Sequence, residues 1–283
     1  MVDRADLELS IRKQCELLSL NRSLFYYKPA GESSLNLELM RMIDEIHLLD
    51  PSLGSPRMRE TLCRLGYGVS VNRIERLMRI MGIRASYPLP KTSNKNADHH
   101  LFPYLLKGLK IVRPCQVWCA DITYIPVEDG FFYLVAIMDC YSRYILAWEL
   151  SNSMETQFCL DALSTAVNNS KPEIFNTDQG SQFTSHRFIE ALTAKQIQPS
   201  QDGKGRFIDN IFIERLWRSL KYEEVYAYCY SDGQAAYKGI RKWINRYNQI
   251  RPHQSLNYYT PEEVHFGLPK KQITLPEYRK FFL

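Results

Sequence analysis

The sequence predicts an α/β protein: a mixed sheet with flanking helices, preceded by a small all-α region. Three observations predict it. Up to about residue 86 the apolar residues recur at helical spacing. From Gln116 the period changes to that of strands, and after Leu150 short apolar runs alternate with helical stretches. At 45% apolar residues in 283, the chain can bury one large domain, or a core with a smaller companion.

The elements follow in order. Leu7 to Leu20 reads as a helix, followed by Asn21-Arg22-Ser23 and a second short helix or turn ending before Pro29. Gly31-Glu32-Ser33-Ser34 reads as a joint. Leu35 to Leu49 has helical spacing and stops at Asp50-Pro51. Ser55-Pro56 predicts an N-cap with proline in the first helical position, and Gly66 ends that helix. Ser70 caps a third helix closed by Gly82. On it Val71, Ile74, Leu77, Met78 and Met81 share one face, with Arg73, Arg76 and Arg79 on the other. Such an arginine-edged last helix suits DNA docking in a helix-turn-helix module, and equally an amphipathic helix with solvated arginines. Tyr87 to Asp98 reads as a linker.

Beyond it, Val117–Pro126, Phe131–Asp139 and Arg143–Leu150 predict a three-stranded meander turning at Glu128-Asp129-Gly130. A helix at Glu155–Asn168, a strand at Glu173–Thr177, a helix at Ser185–Lys195 and a strand at Ile197–Ser200 follow. Asp202-Gly203-Lys204-Gly205 reads as a loop. Two helices close the series, one over about Asn210–Tyr222 and one over Gly233–Tyr247. The order βββαβαβα is that of the ribonuclease-H-like architecture.

Net charge is only +5, but its distribution is uneven. Residues 51–97 hold 9 basic and 2 acidic residues, whereas residues 111–283 hold 19 of each. One module that grips phosphate and another that carries metal would be charged in this way. The seven cysteines are irregularly spaced, with no zinc-binding pattern, as expected of a reduced protein of the cytoplasm. The longest apolar run, Phe131 to Met138, is too short to span a bilayer, so no membrane association is expected.

Three acids carry the chemistry. Asp121 sits mid-strand among apolar neighbours, where a bare carboxylate is costly unless paired or bound to metal. Asp178 falls at the carboxyl end of a later strand, where open α/β sheets place ligands. Glu214 follows Asp178 after 35 residues, on a helix whose apolar face is Ile213, Leu216, Trp217 and Leu220. Arg218 and Lys221 share its polar stripe, offering cations to phosphates beside the acid. A carboxylate cluster holding two Mg²⁺ ions roughly 3.5–4 Å apart is what phosphodiester chemistry needs from a protein. Oxygen ligands suit Mg²⁺, with Mn²⁺ a workable substitute, better than sulfur or imidazole would. Taken singly, each acid has a bland reading: a strand-end acid, a turn with Gly180, a pair with Arg218. Asp139 reads as a turn residue with Ser142 and Arg143. Glu223 and Glu224 read as solvated at a helix end, and His253 as a packing or hydrogen-bonding residue. Asn210 and Lys204 are candidate DNA contacts.

The segments Trp118-x-x-Asp121-x-Thr123-Tyr124, Thr177-Asp178-Gln179-Gly180-Ser181-Gln182-Phe183, Asp209-Asn210-x-x-x-Glu214 with Lys221, and Tyr247-Asn248-x-x-Arg251-Pro252-His253-Gln254-Ser255-Leu256 resemble the integrase catalytic core of bacterial transposases and retroviral integrases. The nearest likeness is to the second-reading-frame product of the insertion-sequence-three family. Gly54-Ser55-Pro56-Arg57-Met58 and the stretch from Asn72 to Ile83 resemble that family's helix-turn-helix segment. The resemblance implies an N-terminal helical segment (1–33), a helix-turn-helix-like DNA-binding region (34–86), a linker (87–112), a catalytic core (113–268) and a C-terminal tail (269–283). It further implies Mg²⁺-dependent DNA cleavage and strand transfer, with Asp121, Asp178 and Glu214 as metal ligands and Lys221 facing phosphate. Implied partners are transposon ends, target DNA, an upstream-frame protein or fusion, and further copies of the chain on DNA; the implied setting is the bacterial cytoplasm and nucleoid. Rival expectations are a catalytically silent DNA-binding regulator of transposition and a ribonuclease-H-like nuclease that stops after hydrolysis.

Overall fold

The computed structural model describes residues 9–22, 26, 31–85, 102–168, 170–201 and 211–282. The linker expected over Tyr87–Asp98, Lys204 and its loop, and Asn210 lie outside the described residues. The chain forms two compact units, Met1–Arg41 and Met42–Leu283. In the first, α1 (Ile11–Leu17) is capped by Ser10, whose side chain accepts from the Lys13 amide at 3.3 Å. Helix α2 (Ser34–Leu49) begins in the first unit and ends in the second.

The second unit opens with the later turns of α2, then α3 (Ser55–Arg64) and α4 (Val71–Ile80). Ile43, Ile46, Met58, Leu62, Ile74 and Leu77 are all fully buried there. The cap of α3 is Gly54 rather than Ser55, so Ser55 and Pro56 are the first two helical residues. The shift costs little, because proline's missing N–H falls among first-turn donors that have no helical acceptor. Ser70 caps α4 as expected, accepting from the Arg73 amide at 3.3 Å, and Gly82 follows at φ +71°, a conformation open to glycine.

The sheet has five strands: β1 (Val117–Val127), β2 (Gly130–Asp139), β3 (Ile145–Ser151), β4 (Ile174–Thr177) and β5 (Gln198–Gln201). Their spatial order is β3-β2-β1-β4-β5, antiparallel among the first three and parallel from β1 to β5. Gly130 turns the β1–β2 hairpin at φ +131°. Both faces of the sheet are covered. Trp118, Ala120, Val135 and Ile137 pack with α5 (Thr156–Val167) and α6 (His186–Ala194). The alternate residues Val117, Cys119, Ala136 and Met138 pack with α7 (Ile211–Leu220) and α8 (Gly233–Gln249). The expected strand and helix order is therefore observed. Helix α7 does not run to Tyr222 as a regular helix: at Lys221 it widens into a π-turn, Lys221–Val225, continued by one helical turn to Tyr228.

The helical region is fastened to the chain's last third. Arg64, at the end of α3, forks onto Glu263 of α9 (Pro261–Phe266) at 2.8 and 2.9 Å, and donates to the Tyr258 carbonyl at 2.8 Å. Residues 269–283, read as a tail, contribute α10 (Leu275–Arg279), whose Tyr278 is buried. The Ile273 amide donates to the Arg64 carbonyl at 3.1 Å, and Lys270 reaches Glu60 at 2.9 Å.

Candidate active site

Parallel pairing of β1 with β4 places Ala120 opposite Thr177. The next residues on the two chains are Asp121 and Asp178, so two acids emerge in step where β4 ends. Adjacent strands lie about 4.8 Å apart. Asp121 remains within β1, which continues against β2, and Asp178 starts the turn beyond β4. Each carboxylate is held locally. Asp121 Oδ1 accepts from the Ile122 amide at 2.8 Å, and Asp178 Oδ1 accepts from the Gly180 amide at 3.0 Å. A Cβ on Gly180 would stand 3.0 Å from that same oxygen, so the turn leaves little room beside it.

Helix α7 meets Asp121 through Trp217. Its indole N–H donates to Asp121 Oδ2 at 2.9 Å, while its ring fills the apolar layer. Glu214 stands one turn earlier on the same helix, exposed. Lys221 stands one turn later, half-buried; burial lowers its pKa, and the negative charge of Asp121 opposes that shift. On the far side of Asp178, burial and then the Asp178 charge push the Cys159 thiol up to about 12, so Cys159 remains a protonated wall. The structure thus brings Asp121, Asp178 and Lys221 together. Glu214 is on the helix that touches them, but among the described residues no three acids, histidines or cysteines are gathered as a ready cage for an ion. Arg218 is exposed on α7. On the outer side of α4, Arg76 and Arg79 are exposed and Arg73 half-exposed, with Arg79 paired to Glu75 at 3.3 Å.

Two sequence expectations change. Glu223 and Glu224 are not solvated: both side chains are buried within the π-turn. Glu223 accepts from Arg251 Nε at 3.1 Å and Trp243 Nε1 at 3.2 Å, and lies 3.8 Å from Arg57 of α3. Glu224 accepts from the Tyr230 hydroxyl at 3.1 Å; burial raises its carboxyl to about 7, against the opposing pull of Arg246. Glu224 follows Leu220 by four residues and Trp217 by seven, and Glu223 follows Leu216 by seven, so helical phase already directs both toward the buried face; what the sequence did not show was the distant partners that neutralise them there. Trp217 was legible only as core; its N–H role requires Asp121 to be in place first.

Asp139 and His253 keep their expected roles. Asp139 accepts from the Ser142 amide and hydroxyl, both at 2.7 Å, and from the Cys115 amide at 2.7 Å. Burial opposes its ionisation, but His265 and these donors outweigh it and hold the carboxyl below the usual carboxylate range. His253 lies edge-on to Tyr247, ring centroids 4.6 Å apart. Burial, then the charges of Arg251, Arg57 and Arg143, keep its imidazole well below its ordinary range and hence neutral.

Fold and site together define an integrase-type core joined to a helix-turn-helix-like region. Integrase core domain families match residues 112–206 and 195–261, and an HTH-like domain family matches residues 34–91. The transposase for insertion sequence element IS904 of Lactococcus lactis subsp. lactis (strain IL1403) is 31% identical over 217 residues, covering 74% of this chain and 86% of the relative. Transposase InsF for insertion sequence IS3A of Escherichia coli (strain K12) is 26% identical, covering 93% of this chain and 96% of its own. Among solved structures, the HTLV-2 integrase catalytic core domain in complex with magnesium aligns with a TM-score of 0.46 at 20% identity, covering 54% of this chain and 98% of that one. The chain belongs to the insertion-sequence-three family of transposases. Its class of activity is DNA transposition and integration. Among the described residues no helix is long and apolar enough to cross a membrane.

Proposed function

We infer that this chain cuts DNA at the ends of its own element and joins the freed ends to target DNA, with Asp121, Asp178 and Glu214 as the acidic ligands of a two-Mg²⁺ centre. The observation that carries this reading is the in-step arrival of Asp121 and Asp178 on neighbouring strands where β4 ends, with Asp121 tied to the Glu214 helix by Trp217. The donor set fits the ion: three carboxylates, with neither sulfur nor imidazole among them. Glu214 has to close onto the strand-end pair to complete the set, a movement its exposed position on α7 permits. Bound there, the ions supply activation of the attacking oxygen and stabilisation of the leaving one.

The chain's own residues do the rest. Trp217 fixes the plane of the Asp121 carboxylate, so that ligand does not have to be ordered during the reaction. Lys221, kept charged by Asp121 against the effect of burial, presents its ammonium to a non-bridging phosphate oxygen. The α4 arginines and Arg218 hold backbone phosphates on either side. This reading includes the upstream-frame protein, separate or fused, as the recogniser of element ends, and several copies of the chain on one DNA assembly.

Purified protein, Mg²⁺ and DNA carrying the element ends provide the test. Asp178→Asn is expected to lower cleavage and strand transfer at least about a thousandfold, roughly 4 kcal/mol of transition-state stabilisation. End binding and the thermal midpoint should hold. Chelation should abolish activity without unfolding. Strand-transfer products that persist in the Asp178→Asn protein would overturn the assignment.

A further inference from the structure

The helix that carries Glu214 has a second surface that the metal chemistry does not use. From Lys221 onward its inner side is fixed by the buried Glu223, Glu224 and Val225. Glu224 and Tyr230 pack so closely against α8 that a Cβ on Gly239 would stand 2.5 Å from the Tyr230 hydroxyl. The outer side of this rigid turn carries Tyr222 and Tyr226, 36% and 50% exposed. Their rings meet edge to face, centroids 5.3 Å apart at 87°. Arg215 and Arg218 are exposed on the same side of α7, seven and four residues before Tyr222.

Exposed rings on a rigid backbone, in line with guanidinium groups, are what unpaired nucleobases bind: the rings stack on bases and the cations track phosphates. We propose that Tyr222 and Tyr226 form a stacking platform for unpaired bases of the DNA strand engaged at the carboxylates, with Arg215 and Arg218 on its phosphates. The proposal rests on the reading above that DNA is engaged there. Tyr222 lies eight residues beyond Glu214, about 12 Å along the axis at about 1.5 Å per residue. That is about three to four nucleotides at roughly 3.4 Å each, so the platform addresses bases near the scissile phosphate, not at it. A rival aromatic group, Tyr124, Phe131 and Tyr133 on the β1–β2 hairpin, has the acidic Glu128 and Asp129 beside it, the wrong charge for a phosphate backbone.

The test uses the full chain carrying Asp178→Asn, so that binding is read without cleavage. The probes are element-end duplexes, either blunt or with a four-nucleotide unpaired extension containing 2-aminopurine. Tighter binding of the unpaired probe is expected, with quenching of its fluorescence. Tyr222→Ala with Tyr226→Ala should weaken that binding about tenfold or more, with less than about a twofold effect on the blunt duplex. Tyr→Phe at both positions should retain both signals, and Tyr→Leu should lose them. Equal loss on both probes, absence of quenching, or full function of the leucine variants would overturn the platform. So would a change in oligomeric state in the alanine protein, which would make these rings a contact with a second copy. Cleavage by the otherwise native chain is scored separately: quenching without any Mg²⁺-dependent cleavage would fault the catalytic reading and leave the platform standing.

Discussion

Replacing Arg64 by methionine should loosen the fastening of the helical region to the core, and the structure sets the size of the effect. Both partners are buried, with Arg64 and Glu263 side chains 5% and 4% exposed. Arg64 supplies two donors to Glu263, and methionine keeps the stem's volume while removing both. Removing one partner of a buried pair costs roughly 3–5 kcal/mol. Here the lower end applies, because Glu263 keeps the Thr260 and Lys271 amides at 2.8 and 2.7 Å. About 3 kcal/mol is a large share of the roughly 5–15 kcal/mol that holds a typical domain. In urea, with a slope of about 2–3 kcal/mol/M, the midpoint should fall by about 1 M or more. Arg64→Met with Glu263→Gln should recover part of the loss, since the neutral amide leaves no buried charge unpaired and its oxygen still accepts from a backbone amide. The pH dependence follows with a definite sign. Burial raises Glu263, but Arg64 and the two amides outweigh it and hold its carboxyl below the ordinary 4.5. Its contribution is therefore present above pH 4.5 and is lost as pH falls through the folded value, so the gap between native and Arg64→Met protein should narrow in acid. A single-variant loss under about 1 kcal/mol, or a double variant less stable than the single, would refute the reasoning.

Three further outcomes are expected. Trp217→Phe keeps the apolar ring but removes the donor to Asp121, so cleavage should slow about tenfold, about 1.4 kcal/mol, with the fold intact; an unchanged rate would deny Trp217 its orienting role. Glu224 has a folded value of about 7 against an ordinary 4.5, so the folded state holds the extra proton and stability falls as pH rises across that window, by up to about 3 kcal/mol. Glu224→Gln abolishes that titration, and its thermal midpoint relative to the native chain should therefore be more favourable at pH 8 than at pH 5. Alanine at Arg73, Arg76 and Arg79 together should weaken end binding and flatten its salt dependence by about 0.9 in log–log slope for each phosphate no longer neutralised; an unchanged slope would remove α4 from the DNA.

What the sequence disclosed was what local patterns encode. The Glu128-Asp129-Gly130 turn marked the hairpin, and the apolar stretch from Val117 marked β1 with Asp121 inside it; which face Asp121 takes became clear only from the packing of α7. Ser70 and Gly82 bounded α4 because caps act within one turn. Misread or unseen features depend on partners far away in the chain. Arg64 and Glu263 are 199 residues apart, and Glu223 and Arg251 are 28 apart. Neither pairing has a local signature. The π-turn followed the same rule: Glu223 and Glu224 looked solvated because they stand at a helix end, and the arginines, Trp243 and Tyr230 that make their inward turn tolerable lie farther along the chain or on other elements. Residues 269–283 looked like a tail, and the contacts that dock them, Lys270 on Glu60, the Ile273 amide on the Arg64 carbonyl and the buried Tyr278, are again with partners far away in the chain.

The central strand holds a weakness of its own. Val117, Trp118, Cys119 and Ala120 are all apolar, and apolar layers cover both sides of them. Alternation of polarity, the usual guard against misalignment, is therefore missing just before Asp121. Loss or gain of a single codon in this stretch would leave the reading frame open and a sheet still able to form, with the bulk of Trp118 and the alternation of Thr123, Tyr124 and Ile125 farther along the strand resisting the shift. Asp121 would then point to the opposite side, away from Trp217 and Lys221. Copies of the element carrying such a change would be expected to go on making a folded protein that still grips DNA while having lost the means to move.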